Sequence, residues 1–320
     1  MNYLIDTFFN KKLHKGQNKE TIVLIGDGFF SRGFLHNIDR SKFNITQIYK
    51  DSFINPQDAI FSLQKNKIYN YSYHLKDIFY LKGDTILRDN ITNLCIEDKT
   101  VFINNKNYNY DHLVIGLGAN KSIKEWSDQI NSYVDKKDQT IGIVGMGPTG
   151  IELATILSKY NTVHLYDSLT KDEVLSYMNK QNKENILDVL DKKGIKTNYR
   201  KMYDEKYSNV IFCVGSRPHS LTNGYTVNNK LEIVDKKNVY MGGDCANTAF
   251  LKNGQSAYRQ GVYVAKKLNG EISREETFSY KSNGISLNIG DNKVIIEGHN
   301  ILPGSKYPDF ILKMYSLFCI

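Results

Sequence analysis

The chain passes twice through one pattern: a short β-branched apolar stretch, a knot of glycines, apolar residues at helical spacing, and a second apolar stretch. The first pass is Thr21–Ile25, then Gly26-Asp27-Gly28-Phe29-Phe30-Ser31 with Gly33, then Phe34, Leu35 and Ile38, then Asn44–Tyr49. The second pass, about 120 residues further on, is Thr140–Val144, then Gly145-Met146-Gly147-Pro148-Thr149-Gly150, then Ile151, Leu153, Ala154 and Leu157, then Thr162–Tyr166. Apolar runs this short, ending at glycine, predict strands buried on both faces, and the helical period predicts a helix packed after each.

The rest of the pattern fills in around these units. Short alternating strands are expected at Thr85–Leu87, Asn93–Glu97 and Thr100–Ile103, with Asn104-Asn105-Lys106 as a hairpin turn. Tyr110–Gly118 holds a buried strand centred on Leu113-Val114-Ile115. Residues 119–138 read as a polar connection, and residues 50–80 carry no assignable pattern. Helices are expected at Lys183–Lys193, stopping at Gly194, and at Gln255–Leu268, stopping at Asn269-Gly270. Strands at Asn209–Val214 and Val239–Gly242 end at Gly215 and at Gly243-Asp244. The last forty residues read as two or three strands and a short helix near Asp309–Phe318.

The glycine spacing carries chemistry. In a GxGxxG turn the first glycine allows the tight bend, the second lets backbone approach a pyrophosphate, and the third lets the helix pack close to the strand. The helix N-terminus then offers free N–H groups and partial positive charge to the phosphates. The second copy is complete in Gly145, Gly147 and Gly150. Asp167 follows Gly145 by 22 residues, at the end of the next strand. An acid there accepts from ribose hydroxyls and disfavours a 2′-phosphate, so this copy reads as an NADH site, not an NADPH site. The first copy has Gly26 and Gly28, but Ser31 stands in the third position. Its second strand ends at Ile48-Tyr49-Lys50 with no acid, and Asp51 is the nearest carboxylate downstream.

Composition narrows the field. A chain of 320 residues with ordinary apolar and charged content is a globular chain of two or three domains. The net charge of +8 suits anionic cofactors, lipid or nucleic acid, or reflects only a lysine-, asparagine- and isoleucine-rich codon usage. The lysines are scattered and no nucleic-acid-binding motif is present, so no nucleic acid partner is expected. Cys95, Cys213, Cys245 and Cys319 lie far apart, which excludes a CxxC redox pair and a zinc knuckle, and no metal is expected. The apolar runs of residues 1–20 are too short and broken for a signal peptide, and no run is long enough to cross a bilayer, so neither a signal peptide nor a transmembrane helix is expected. An intracellular chain is expected, cytoplasmic or peripheral on a membrane. Leu4, Ile5, Phe8 and Phe9, followed by Lys11, Lys12 and Lys15, form either a short amphipathic helix at a membrane surface or a plain extension.

Five motifs in fixed order give the chain a resemblance. Val23–Gly28 is similar to the FAD turn of flavoproteins with two dinucleotide-binding domains, the FAD-dependent pyridine nucleotide-disulfide oxidoreductase fold. Tyr110–Ala119 resembles that family's "YDYLVIATGA", Ile143–Glu152 its "VVGGGPTGVE", Val214–Pro218 its second "ATGxxP", and Asn238–Ala246 its "NVYAIGDCA". The nearest resemblance is to type II NADH:quinone oxidoreductases and apoptosis-inducing-factor-like proteins.

The resemblance implies an α/β fold with two nested Rossmann-like dinucleotide-binding domains, for FAD and NADH, and a small C-terminal α+β segment. The expected boundaries are an extension at 1–20, FAD-binding parts at 21–120 and 223–280, an NADH-binding domain at 137–222, and a C-terminal segment at 281–320. It implies that Gly26, Gly28, Ser31, Gly118 and Asp244 hold FAD, and that Gly145, Gly147, Gly150, Asp167 and Gly215 hold NADH. Glu152 would sit catalytically beside the nicotinamide and flavin. Gly254–Gly261 resembles the "AQxAxQQG" of the quinone reductases, which implies an acceptor site at Gln255, Arg259 and Gln260, with Arg259 departing from the family glutamine. The stretch from Gly194 to Gly215 is short for the family, and so is the C-terminal region, where Phe310, Ile311, Leu312, Met314, Tyr315, Leu317 and Phe318 form either a reduced membrane anchor or a packed helix.

The function these features imply is transfer of hydride from NADH to flavin, and of electrons onward to a small, quinone-like acceptor without a redox disulfide. The competing readings are a flavoenzyme with another acceptor, such as oxygen or a partner protein, and a degenerate relative that binds nucleotide with little or no turnover.

Overall fold

The computed structural model describes residues 19–50, 84–119, 128–133, 135–203, 208–215, 217–248, 252–280, 286–289, 293–296 and 302–303. The segments expected as an amphipathic N-terminus and as a terminal helix lie outside these residues.

The first unit opens with β1 (Glu20–Ile25), α1 (Phe29–Asn37), β2 (Phe43–Tyr49) and β3 (Thr85–Arg88). A three-stranded antiparallel sheet follows, made of β4 (Leu94–Glu97), β5 (Thr100–Ile103) and β6 (Lys106–Asn109). Its β5–β6 turn is Asn104-Asn105, both with positive φ (49° and 65°), as a two-residue hairpin of right-handed twist requires. The chain returns through β7 (His112–Ile115), leaves for the second unit, and comes back much later as β12 (Val239–Met241). The resulting five-stranded sheet has the order β12-β7-β1-β2-β3 and is parallel throughout.

Successive residues of β1 point to opposite faces, and both faces are buried. Ile22 and Leu24 pack with Phe30, Phe34, Val114 and Val264, while Val23 and Ile25 pack with Ile48, Ile115 and Met241. This is why the run is apolar without alternation.

The second unit contains β8 (Thr140–Val144), α2 (Pro148–Leu157), β9 (Thr162–Tyr166), α3 (Lys180–Lys192), β10 (Lys196–Asn198) and β11 (Val210–Phe212). Its four-stranded parallel sheet has the order β10-β9-β8-β11. α3 starts three residues before the expected position because the Asn179 side chain accepts from the Asn182 amide at 2.8 Å. β10 was not anticipated: Lys196-Thr197-Asn198 has no apolar signal and is a strand only by pairing with β9. The connection before β8 is less polar in role than its composition suggests, because Ile130 and Tyr133 are buried in this unit's core.

The last helix among the described residues, α4 (Gly254–Asn269), is capped by Asn253 and stopped by Gly270 at φ 77°. It lies on α1 so closely that the helix backbones touch. A Cβ on Gly33 would sit 2.0 Å from the Tyr258 carbonyl oxygen, and one on Gly261 would sit 2.0 Å from that of Phe30. Three short strands, β13 (Ser286–Asn288), β14 (Lys293–Ile296) and β15 (Leu302–Pro303), form a final antiparallel sheet. Leu287 and Ile289 from this segment complete the core of the second unit beside Ile151.

Candidate functional site

The two glycine turns superimpose in their bonding. Gly26 has φ 108° and Gly145 has φ 109°, a region that side-chain-bearing residues rarely adopt. The Gly26 amide donates to the Ile48 carbonyl at 2.8 Å, and the Gly145 amide donates to the Tyr166 carbonyl at the same distance. Behind each turn the neighbouring strand end crosses at close range. A Cβ on Gly26 would meet the Gly116 oxygen at 2.2 Å, and one on Gly145 would meet the Cys213 oxygen at 2.5 Å. Only glycine satisfies both the φ and the clearance.

Gly28 and Gly147 behave differently. Each is the N-cap of its helix with extended backbone and no side-chain cap. A Cβ on either would find no atom within 4 Å. Gly118 (φ 72°) and Gly215 (φ 76°), at the ends of the crossing strands, also face open space. Each unit therefore presents a bare helix N-terminus, whose first amides have no intrahelical partner, to a space bounded by glycine. That arrangement suits an anionic group such as a diphosphate.

The third positions differ between the copies. A Cβ on Gly150 would lie 1.9 Å from the Gly145 oxygen, so glycine is required there. Ser31 is fully buried, and its Oγ has no hydrogen-bond partner among the described residues. It packs against Gly116, where an added Cβ would lie 3.0 Å from Ser31 Oγ and 2.7 Å from the Phe30 ring.

Asp167 closes the second turn. Its Oδ2 accepts from the Met146 amide at 2.7 Å and its Oδ1 from the Leu169 amide at 2.9 Å. Both oxygens keep lone pairs for a further donor. The residue matching Asp167 in the first unit is Tyr49, since Ile48 matches Tyr166 in its bond to the turn.

Glu152 is buried on α2, just past the helix start. Tyr177, which no motif singles out, lies within electrostatic reach of it. The Tyr177 hydroxyl is pushed well above its ordinary value, first by local desolvation and then by the Glu152 charge.

Asp244 sits in a single 3-10 turn, Gly243–Cys245, directly after β12. Burial raises its carboxyl, and Lys252 opposes the shift. Gln260 holds this turn in place: its Oε1 accepts from the Gly243 amide at 2.8 Å, and its Nε2 donates to Ser256 Oγ at 3.1 Å. The three residues expected at an acceptor site thus have different settings. Gln260 is buried with its amide bonded on both sides, Gln255 accepts from the Tyr280 hydroxyl, and Arg259 is exposed. Gln260→Leu is expected to leave the Gly243 amide unpaired, at a cost of about 1–3 kcal/mol, measurable by denaturant unfolding. An unchanged midpoint would mean that Gln260 does not anchor the turn.

The described cysteines, Cys95, Cys213 and Cys245, form no disulfide with one another. Cys319 lies outside the described residues. Burial pushes the Cys245 thiol up to about 11, against partial opposition from the Gly118 and Leu117 backbone. Its Sγ faces the Gly242 oxygen at 3.3 Å. At pH 8 a thiolate-directed reagent is therefore expected to label exposed Cys95 and spare Cys245 until the protein unfolds. Rapid native labelling of Cys245, read by peptide mass, would contradict this. Among the described residues no group of side chains is arranged to hold a metal ion.

Residues 20–261, which span both glycine turns, match the family described as pyridine nucleotide-disulphide oxidoreductase. The chain belongs to this family. Its members' fold is the one found: α/β, with parallel sheets each opening on a strand, glycine turn and helix. A curated relative is the mitochondrial external NADH-ubiquinone oxidoreductase 2 of Saccharomyces cerevisiae, 21% identical over 357 residues. That likeness takes in 82% of this chain and 64% of the yeast protein, so the chain spans less than two thirds of that relative's length. The solved structure of NDH2 from Plasmodium falciparum in complex with NADH is similar with a TM-score of 0.78, at 15% identity, over 95% of each chain. The water-forming NADH oxidase from Lactobacillus brevis, bound to NADH, is similar with a TM-score of 0.68, at 16% identity, over 87% of this chain and 75% of that one. At such identities the structural likeness is one of fold.

Proposed function

We propose that this pyridine nucleotide-disulphide oxidoreductase family member is an FAD-dependent NADH oxidoreductase that passes electrons to a small, quinone-like acceptor. The observation that carries the proposal is the pair of glycine turns with the same φ, the same backbone approach behind, and the same open ground at the second glycine. Residues 21–120 and 223–280 form the FAD unit, and residues 137–222 form the NADH unit. The segment 281–320 closes the core of the latter through Leu287 and Ile289.

In this reading Gly26, Gly28 and Gly118 hold the FAD pyrophosphate against the N-terminus of α1, and Ser31 fills the packing position behind it. Asp244 takes the ribityl side, from a turn that Gln260 fixes. Gly145, Gly147, Gly150 and Gly215 do the same for NADH, and Glu152 orients the nicotinamide end. FAD, when bound, supplies the hydride-accepting ring and the onward electron transfer. The protein's share is to align the two rings and to exclude water from between them. Cys245 is buried with its thiol pushed up to about 11, which disfavours a redox relay there and favours direct transfer from flavin to acceptor. The yeast relative is named for ubiquinone, which supports a quinone-like acceptor here. Gln255 and exposed Arg259 are the acceptor-side residues of the proposal, and peripheral contact with a membrane belongs to it. No helix among the described residues is long and apolar enough to cross one. NADH oxidation assayed across quinones, oxygen and one-electron dyes, with and without anionic vesicles, tests acceptor and membrane together. Absence of turnover with every acceptor would defeat the proposal.

Asp167 sets the nucleotide preference. Asp167→Ser is expected to lower kcat/KM for NADH about tenfold, the loss of one charge-assisted bond, and to narrow the margin over NADPH. An unchanged NADH/NADPH ratio would remove Asp167 from the ribose site. One observation favours the alternative of a nucleotide-binding module without turnover: Tyr49 stands in the first unit where Asp167 stands in the second.

A further inference from the structure

The first unit has lost its strand-end acid, and the structure offers a replacement a short distance away. Tyr49, in the place of Asp167, is buried and offers no carboxylate. Asp27, the residue between the two glycines of the turn, does. Its Oδ2 lies 3.5 Å from Arg32 on the first turns of α1, and its Oδ1 lies 3.5 Å from the Gln47 amide on β2. The Asp27 and Arg32 side chains are nearly buried, at 9% and 11% exposed. Gln47 is fully buried and clamps the turn, donating from Nε2 to the Gly26 carbonyl at 2.8 Å. Its Oε1 is buried with no partner among the described residues. A buried acceptor left open in this way costs stability unless a donor arrives.

We infer that Asp27, held by Arg32 and Gln47, is the anchor for the adenosine ribose of FAD in this chain. The inference rests on the flavoprotein reading above. A ribose presents two vicinal hydroxyl donors. The Asp27 carboxylate and the vacant Gln47 Oε1 are acceptors on one side of the same turn. The relocation also accounts for Arg32. An acid at the strand end stands off from the diphosphate, whereas an acid inside the turn lies next to it and would repel it. A guanidinium 3.5 Å from that acid offsets the repulsion, and a carboxylate, with two oxygens, accepts from several donors at once. The second unit, with its acid at the strand end, has Met146 at the position of Asp27 and Ile151 at that of Arg32. Neither carries charge.

The test compares FAD with an FAD analogue lacking the adenosine 2′-hydroxyl, by flavin fluorescence titration of the full chain. The wild-type protein is expected to bind FAD on the order of tenfold more tightly than the analogue. Asp27→Asn is expected to weaken FAD by about 10- to 100-fold and to shrink that gap, while FMN, which has no adenosine, is not weakened. Arg32→Gln is expected to weaken FAD while preserving the gap, because the ribose contact stays. A wild-type protein that binds FAD but does not distinguish the analogue would overturn the inference alone, whether or not the variants fold. The same gap in Asp27→Asn as in wild type would do so too. Failure of the wild-type protein to bind any flavin would overturn the flavoprotein reading and this inference with it.

Discussion

Gly147→Ala is expected to raise the Kd for NADH by about 100-fold or more while leaving bound flavin and thermal stability almost untouched. The added methyl meets nothing within 4 Å in the protein, and the backbone there, at φ −75°, suits alanine. The intrinsic cost of alanine at an N-cap is on the order of 1 kcal/mol or less. The methyl does fill the ground where a diphosphate must reach the first amides of α2. Losing two charge-assisted hydrogen bonds at about 1.5 kcal/mol each accounts for the expected factor. Gly145→Ala is the contrasting case, because its φ of 109° and the Cys213 oxygen 2.5 Å away oppose any side chain. Calorimetric titration with NADH, alongside thermal melting, separates the two. NADH binding by Gly147→Ala at wild-type affinity would show that the open ground at the second glycine is not the nucleotide site.

Gly261→Ala is expected to destabilise the first unit by about 3 kcal/mol or more and to lose FAD with it. Alanine is ordinarily favoured over glycine inside a helix by about 1 kcal/mol, so the sign depends on the packing. Here the methyl would lie 2.0 Å from the Phe30 carbonyl oxygen and 2.7 Å from the Phe34 amide nitrogen. These are backbone atoms of α1, which cannot yield like the end of a flexible side chain. The helices would have to separate, and α1 carries at its N-terminus the glycine turn proposed to hold FAD. Gly33→Ala, facing the Tyr258 oxygen at 2.0 Å, is expected to act in the same way from the other helix. Denaturant unfolding followed by flavin fluorescence reads both quantities. A Gly261→Ala protein with unchanged midpoint and full flavin would mean that α1 and α4 do not meet at this distance.

The central strands were legible in the sequence because β1, β7 and β8 are apolar, buried on both faces and run directly into glycine. Thr140–Val144 and Thr100–Ile103 were placed to the residue. The Asn104-Asn105 turn was legible because asparagine tolerates the left-handed region that a two-residue hairpin needs. Strand β10 was not, since an edge strand of Lys, Thr and Asn takes its conformation from β9 and not from its own composition. The α1–α4 contact was also hidden. Gly33 and Gly261 lie more than two hundred residues apart, and each looks alone like an indifferent helix glycine. The spacing of the site glycines located both turns. It did not reveal that Gln260 is occupied by Gly243, that Tyr177 faces Glu152, or that Asp27 sits between Arg32 and Gln47. Apart from Asp27 and Arg32, which are neighbours in sequence, these residues belong to different elements, and no local pattern encodes their meeting.

The central claim is that electrons pass from NADH to a flavin held by this chain. It is tested most directly by an anaerobic absorbance titration of the FAD-reconstituted protein with NADH. The account predicts a flavin band on purified protein that bleaches on addition of one equivalent of NADH and returns on addition of a quinone. A flavin band indifferent to NADH, or no flavin retained after incubation with FAD, would contradict it.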